Sequence, residues 1–291
     1  MSILVIGSTG QIGSQVVLHL VGHGVEIRAL SRHPALHRFP EGVTPVKGDL
    51  TDIESMREAL AGVTTLFLLN PVVDDELTRA QLTLNLAVTA GIQRLVYFSM
   101  KNADTFADVP HATAKFATEQ MITRFGLPAT ILRPNYFMQN DANYKAPLLD
   151  EGRYPMPIGG LGTSMADIRD IGEVAARLLL RRENSPEPLP GELIELSGPD
   201  VLTGSSVAAI WAEVAGRPVA YMGDDVAAYE KRTSAHVPNW LAYDNSLMFR
   251  GFQRDGMVAA PGAVAQLTEL LGRPPRTYRD FAQQTLAEWR A

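Results

Sequence analysis

Cysteine is absent from this chain of 291 residues. The absence excludes disulfide bonds, thiolate nucleophiles and cysteine-ligated metal centres, and it is typical of a reducing compartment. Long hydrophobic runs are absent too, because no apolar stretch approaches the roughly 18 residues that span a bilayer. The sequence opens on an apolar strand pattern rather than a leader pattern. We therefore expect a cytoplasmic protein with no cleaved signal peptide and no membrane partner.

Positive charge is also scarce, since 26 Lys and Arg face 32 Asp and Glu for a formal net charge of -6. This balance lacks the basic footprint of nucleic-acid-binding proteins, so we expect no direct nucleic-acid partner. Neither a GxSxG elbow nor a Walker lysine motif occurs. His19 and His23 have the spacing of a helical metal pair but no third ligand nearby, so we predict no metal site. A small-molecule substrate and a monomer or homodimer remain the expectation.

The strongest positive signal is the glycine pattern SILVIGSTGQIG at Ser2–Gly13. The apolar run Ile3–Ile6 stops at Gly7, and two more glycines follow at spacings of three before an amphipathic helix. Gly7 permits a sharp turn, Gly10 permits close approach of a pyrophosphate, and Gly13 permits close helix packing. A glycine turn between a strand and a helix predicts a dinucleotide site. Backbone N–H groups and hydroxyls would make its contacts, from Gly7, Ser8, Thr9, Gly10, Gln11, Ile12 and Gly13.

The end of the second predicted strand, Val25–Leu30, indicates which dinucleotide binds. An acidic residue there would bind a ribose 2′-hydroxyl and repel a 2′-phosphate. The strand is instead followed by Ser31 and Arg32, and a guanidinium pairs well with phosphate. This favours NADP(H) over NAD(H). The alternative is that Arg32 is a solvated loop arginine.

The ends of the third and fourth strands supply further candidate cofactor contacts. Asp49 can accept a hydrogen bond from an adenine amino group while Leu50 packs on the ring. The competing interpretation is helix capping, with Thr51 or Asp52 starting a helix at Ile53–Leu60. Both interpretations can hold for neighbouring residues. At the end of the fourth strand, Val63–Leu69, we count Leu69 and Asn70 as cofactor contacts, and we interpret Asp74, Asp75 and Glu76 as a solvated loop and helix start rather than a catalytic pair.

Short apolar strands alternate repeatedly with helices, which predicts an α/β protein with a doubly wound parallel sheet. Domain one is predicted at residues 1–140, with residues 165–198 returning to it. A smaller, mainly helical C-terminal domain is predicted from residues 141–164 and 199–291. Its predicted helices are Ser206–Ala215, Asp224–Ser234, Asn239–Arg254, Val264–Leu271 and Tyr278–Arg290.

Several motifs occur in an order that resembles a known group. They are GSTGQIG, SRHP, GDLTD, RLVYFS, HATAK, ILRPNYFMQN, DIRDIGEVAARLLL and GRPPRTYRDF. Over essentially the whole chain they are similar to the NmrA-like proteins, atypical short-chain dehydrogenases/reductases. The resemblance implies a Rossmann domain that binds NADP(H) and a smaller C-terminal domain that forms a cleft with it.

One departure from the superfamily pattern concerns the active site. The usual YxxxK motif, with a serine on the preceding strand, is represented here by His111, Lys115 and Ser99. The resemblance implies that Lys115 hydrogen-bonds the nicotinamide ribose. His111 either supplies a proton in place of tyrosine or only lines the pocket. Ser99 either orients the substrate oxygen or caps its strand.

The sixth strand ends at the ligand-binding edge with Pro134, Asn135 and Tyr136. Asn135 can hold the carboxamide, and Tyr136 can stack on a ligand or donate its hydroxyl. Packing in the core is the alternative for Tyr136, because aromatic residues more often pack than bind.

These features predict an NADP(H)-dependent oxidoreductase that transfers hydride to a small quinone, enone or carbonyl compound. Loss of the tyrosine disfavours simple alcohol oxidation, because quinones and activated alkenes need less help from a fixed acid. Two alternatives stay open. One is an NADP(H)-binding redox sensor with little turnover, and the other is a non-redox enzyme on the same fold.

Overall fold

The computed structural model describes residues 1–291. Its strands are β1 (Ser2–Val5), β2 (Glu26–Ser31), β3 (Val43–Lys47), β4 (Thr65–Leu68), β5 (Arg94–Phe98), β6 (Ala129–Pro134), β7 (Arg153–Tyr154), β8 (Glu192–Leu196) and β9 (Ala220–Tyr221). Its α-helices are α1 (Gln11–Leu20), α2 (Ile53–Leu60), α3 (Glu76–Thr89), α4 (Pro110–Arg124), α5 (Lys145–Leu149), α6 (Ile168–Glu183), α7 (Gly204–Ala215), α8 (Val226–Thr233), α9 (Asn239–Asp255), α10 (Ala263–Leu271) and α11 (Tyr278–Arg290). None of these helices combines the length and hydropathy that crossing a bilayer requires.

The main sheet has seven strands in the order β3-β2-β1-β4-β5-β6-β8. Strands β1 to β6 pair in parallel with their neighbours. The chain order reverses between β1 and β4, and in such sheets ligands bind beyond the carboxyl ends of the strands at this reversal. The predicted doubly wound parallel α/β fold is confirmed.

The centre of the sheet is apolar because its strands are covered on both faces. All residues of β1 and β4 are buried, as expected for central parallel strands. Helix α1 packs closely against α6, where a Cβ on Gly172 would lie 2.3 Å from the Gln15 Cβ. A glycine in α6 is therefore required for this helix to approach α1.

The chain divides into two compact units. The first comprises Met1–Asp104, His111–Arg133 and Ile168–Ile194, and the second comprises Thr105–Pro110, Pro134–Asp167 and Glu195–Ala291. The first unit contains β1 to β5, and the second contains α7 to α11. The functions expected of the two predicted domains stay predictions.

The helices predicted in the C-terminal region are all present, with ends shifted by a few residues at most. The structure adds elements that we did not predict. These are the five-residue helix α5 and a two-stranded parallel sheet of β7 and β9, in which Arg153 pairs with Ala220 and Tyr154 with Tyr221. Elements this short carry too few residues for a hydrophobic period to be visible.

A buried carboxylate joins distant segments of the second unit. Asp141 is fully buried, and its Oδ2 accepts hydrogen bonds from the hydroxyls of Tyr154 (3.0 Å) and Tyr278. The indole nitrogen of Trp211 donates to the Tyr278 hydroxyl at 2.9 Å. The other oxygen, Oδ1, has no hydrogen-bond partner. Burial disfavours the charged form and raises the pKa of Asp141 to about 7, whereas the two tyrosine hydrogen bonds lower it.

We predict that Asp141→Asn removes a pH dependence from the thermal stability. The folded state holds the Asp141 proton up to about pH 7, whereas an unfolded Asp releases it near pH ~3.9. The stabilisation is therefore full below the unfolded pKa and is lost as the pH rises through the folded pKa. Melting temperatures should show wild type losing several degrees relative to the variant between about pH 5 and about pH 8.

The exposed carboxylate of Asp150 provides the control. For Asp150→Asn the difference from wild type should stay constant over the same pH range. A pH-independent difference between wild type and Asp141→Asn would contradict the assignment of this proton.

Candidate active site

The turn between β1 and α1 requires glycine at two positions. Gly7 has a φ of +75°, and a Cβ there would lie 2.8 Å from the Leu69 Cδ2 atom. At Gly13 a Cβ would lie 2.1 Å from the Gly7 carbonyl oxygen. This clash could not be relieved by moving a side chain, because the obstacle is a backbone atom. The N–H of Gly10 donates to the same carbonyl at 3.0 Å and closes the turn. The first turn of α1 therefore lies against the end of β1.

The other residues of this turn divide into exposed and buried sets. Thr9, Gly10 and Gln11 are exposed at the start of α1, whose N-cap makes no side-chain hydrogen bond. Ile12 is buried and anchors the helix. The Ser8 hydroxyl, which we predicted as a ligand donor, instead donates to the Leu30 carbonyl oxygen at 2.7 Å and ties the turn to β2.

Asn70 lies at the point where the strand order reverses, directly after β4 and Leu69. The residue is 2% exposed, yet both Nδ2 and Oδ1 lack a hydrogen-bond partner. A buried amide without partners costs free energy unless a ligand or water satisfies it. Together with the glycine turn across from it, this amide fits the polar atoms of a bound dinucleotide.

Arg32 follows β2 and Asp49 follows β3, and the two side chains lie close enough to interact electrostatically. Arg32 is exposed and makes no hydrogen bond or salt bridge. Asp49 Oδ1 accepts from the Thr51 N–H at 3.0 Å and from its hydroxyl at 2.8 Å. These hydrogen bonds lower the pKa of Asp49, and Arg79 and Arg32 add smaller lowering effects. Arg32 is thus free to bind an anion, and Asp49 is partly committed to its own turn.

The two interpretations of the segment after β3 are resolved by its contacts. Asp52 is the N-cap of α2, and its carboxylate accepts from the N–H groups of Glu54 and Ser55, both at 3.2 Å. Capping by Asp52 is therefore confirmed. Leu50 is buried in the apolar core beside Met56, so its packing is intramolecular.

Lys115 forms a buried ion pair that the sequence did not reveal. Its Nζ lies 2.7 Å from Oε1 of Glu76, and the two side chains are 8% and 4% exposed. The prediction that Glu76 is solvated is wrong. A signal was present, because Glu76, Ala80, Thr83 and Ala87 share the helical spacing of one buried face.

The other two residues of the expected active-site motif lie in the same unit. His111 is half-buried in the first turn of α4, one turn before Lys115. The Ser99 hydroxyl donates to Glu119 Oε1 at 2.5 Å. Arg133 binds the same carboxylate in a bidentate pair at 3.0 and 2.6 Å. Ser99 therefore belongs to a buried structural network, and its contacts give no support to a role in orienting substrate.

The residues after β6 are also committed to internal contacts. Both amide hydrogens of Asn135 are donated, to the Ser197 hydroxyl at 3.0 Å and to the Met257 carbonyl at 2.7 Å. Its Oδ1 accepts from the N–H of Tyr136 at 2.8 Å. Neither amide hydrogen is left to hold a carboxamide. Pro134 is buried beside them.

Tyr136 follows the packing alternative. Its ring makes edge-to-face contacts with Phe249 and Phe252, with centroids 5.9 and 5.6 Å apart. Burial raises the pKa of the Tyr136 hydroxyl well above its usual value, so the phenol stays protonated. The aromatic cluster in the second unit accounts for this residue without a ligand.

Comparison with known proteins gives consistent matches over the full length. The chain is 30% identical over 292 residues to an NAD(P)H azoreductase of Xenophilus azovorans, and the match covers 99% of both chains. It is 27% identical over 283 residues to quinone oxidoreductase 2 of Escherichia coli strain K12, covering 94% of this chain and 95% of the other.

A solved structure supports the same relationship. The NADPH-dependent quinone oxidoreductase QOR2 from Escherichia coli, complexed with NADPH, superposes with a TM-score of 0.85 at 25% identity. The match covers 98% of this chain and 100% of that one. The model of the NmrA-like family matches residues 1–252. The resemblance noted from the motifs is confirmed, and this chain belongs to the NmrA-like family.

Proposed function

We propose that this protein is an NADP(H)-dependent reductase that transfers hydride to small conjugated electrophiles, quinones above all. The predicted classes of enzyme and cofactor are confirmed by full-length relatives named as an NAD(P)H azoreductase and a quinone oxidoreductase. Azo compounds join quinones and enones as candidate substrates because of the first of these relatives.

The proposal rests chiefly on the position of the N-terminus of α1 beside the end of β1. The backbone contact between Gly13 and Gly7 holds the start of α1 beside β1, at the reversal of the strand order. A helix N-terminus without a side-chain cap presents N–H groups and a positive dipole end, which suit a pyrophosphate. Arg32 supplies a cation for the 2′-phosphate, and the Asn70 amide supplies a donor and an acceptor.

The overall reaction consumes one proton as well as hydride, since a quinone, NADPH and H⁺ give a hydroquinone and NADP⁺. NADPH, when bound, supplies the hydride. With the cofactor bound, Lys115 would donate to its ribose and would place an ammonium near the reacting centre. His111, one helical turn before Lys115, would supply the proton, because histidine is the side chain that most often acts as a general acid or base. A quinone suits this residue set, because its reduction does not depend on a tyrosine held as an acid.

We expect purified protein to oxidise NADPH in the presence of a quinone, followed as loss of the nicotinamide absorbance. A panel of quinones, enones and azo compounds then ranks the substrates. Lys115→Ala should remove most of the turnover, because it deletes the buried ammonium. Lys231→Ala, which changes an exposed lysine of the second unit, is the matched control and should keep wild-type turnover.

Two other outcomes would contradict the proposal. Tight binding of NADPH and NADP⁺ with different affinities, but no turnover with any acceptor, would identify a redox sensor. Failure to bind either nucleotide would leave a non-redox enzyme on this fold.

We also predict that Arg32→Ala weakens NADPH binding about tenfold to hundredfold while NADH binding changes little, because a charge-assisted phosphate contact is lost. Titration calorimetry with both nucleotides measures the two affinities. Arg57→Ala removes another exposed arginine, paired with Glu54 on α2, and should change neither. Equal effects on NADPH and NADH would refute the role of Arg32.

A further inference from the structure

We propose that Glu76 is a positioning residue, which holds the Lys115 ammonium where it binds the cofactor. The inference rests on the proposed function, because it takes Lys115 as a cofactor contact. It assigns a role to an acidic residue that belongs to no motif of the reductase pattern.

The pair lies between two helices that begin at the ligand-binding edge of the sheet. Glu76 is the first residue of α3, which follows β4 and Asn70. Lys115 lies in the second turn of α4, which follows β5. In a parallel sheet such helices start near the carboxyl ends of the strands, where ligands bind. A contact of 2.7 Å therefore fixes the ammonium on the side where the cofactor is expected.

Burial explains why the ammonium needs this partner. A lysine that is 6% exposed loses most of its hydration, and buried charges persist only when paired. The Glu76 carboxylate is that partner, and its own charge is favoured at a helix N-terminus.

The pair leaves hydrogen-bonding capacity for a ligand. An ammonium has three N–H donors, and the only hydrogen bond of the Lys115 Nζ is the one to Glu76. Two donors remain in a fixed direction, because the carboxylate restrains a side chain with four rotatable bonds. Two donors on one nitrogen match the adjacent hydroxyls of a ribose. Preorganisation of this kind raises affinity by reducing the entropy lost on binding.

A double-mutant cycle on NADPH affinity tests the role. The four proteins are wild type, Glu76→Gln, Lys115→Ala and the double variant, each titrated with NADPH by calorimetry. If Glu76 acts through Lys115, Glu76→Gln alone weakens binding about tenfold to hundredfold. The double variant then binds no more weakly than Lys115→Ala, because the pair acts as a unit.

A buried glutamate elsewhere in the first unit provides the matched control. Glu183 accepts from the Thr64 and Thr65 hydroxyls at the amino end of β4, away from the ligand-binding edge. We expect both Glu183→Gln and Glu76→Gln to lower the melting temperature, but Glu183→Gln should leave the NADPH affinity at its wild-type value. This separates loss of stability from loss of positioning.

Glu76→Asp keeps the inference testable if Glu76→Gln does not fold. The charge is retained but the carboxylate is withdrawn by one methylene, so we expect an intermediate NADPH affinity. Wild-type affinity in both Glu76 variants, or additive effects in the cycle, would overturn the positioning role. Absence of NADPH binding by wild type would instead refute the proposed function itself.

Discussion

The structure of the site depends on the close approach of α1 to the end of β1. The carbonyl oxygen of Gly7 occupies the space that a side chain at position 13 would need. On its other side α1 meets α6, where Gly172 has no room for a side chain beside Gln15. The helix is thus held between two glycine contacts, and its N-terminus stays at the strand reversal. A phosphate site made of backbone groups requires this rigidity, because no flexible side chain can correct its position.

Buried charge is the second constraint on this protein. In the first unit Glu119 is paired with Arg133, and Glu76 with Lys115. In the second unit Asp141 has only tyrosine hydroxyls, and its pKa rises instead. These are the two general solutions to a desolvated carboxylate, pairing and protonation. In the Glu76 pair the Lys115 ammonium keeps two N–H donors beyond this contact, and the proposed positioning role depends on them.

Most of the secondary structure could be predicted from local pattern. Apolar runs, glycines and the cap at Asp52 placed the strands and helices within a few residues. The side-chain assignments after β6 were less successful, because position at the ligand-binding edge does not determine what a side chain contacts. Asn135 contacts Ser197 and Met257, and Tyr136 contacts phenylalanines of α9. Met257 and Phe249 lie more than a hundred residues along the chain from the residues they contact.

The sequence by itself determined the fold class, the family and the glycine turn, because these follow from short local motifs and from their order along the chain. It also indicated the choice of nicotinamide cofactor, through Arg32 where an acid was possible. Only the tertiary structure decided which polar side chains are committed and which are available. Ser99 is committed to Glu119, whereas Asn70 keeps both amide atoms unpartnered. The physical reason is that hydrogen bonds and burial depend on neighbours brought together by packing, and packing is not encoded in local spacing.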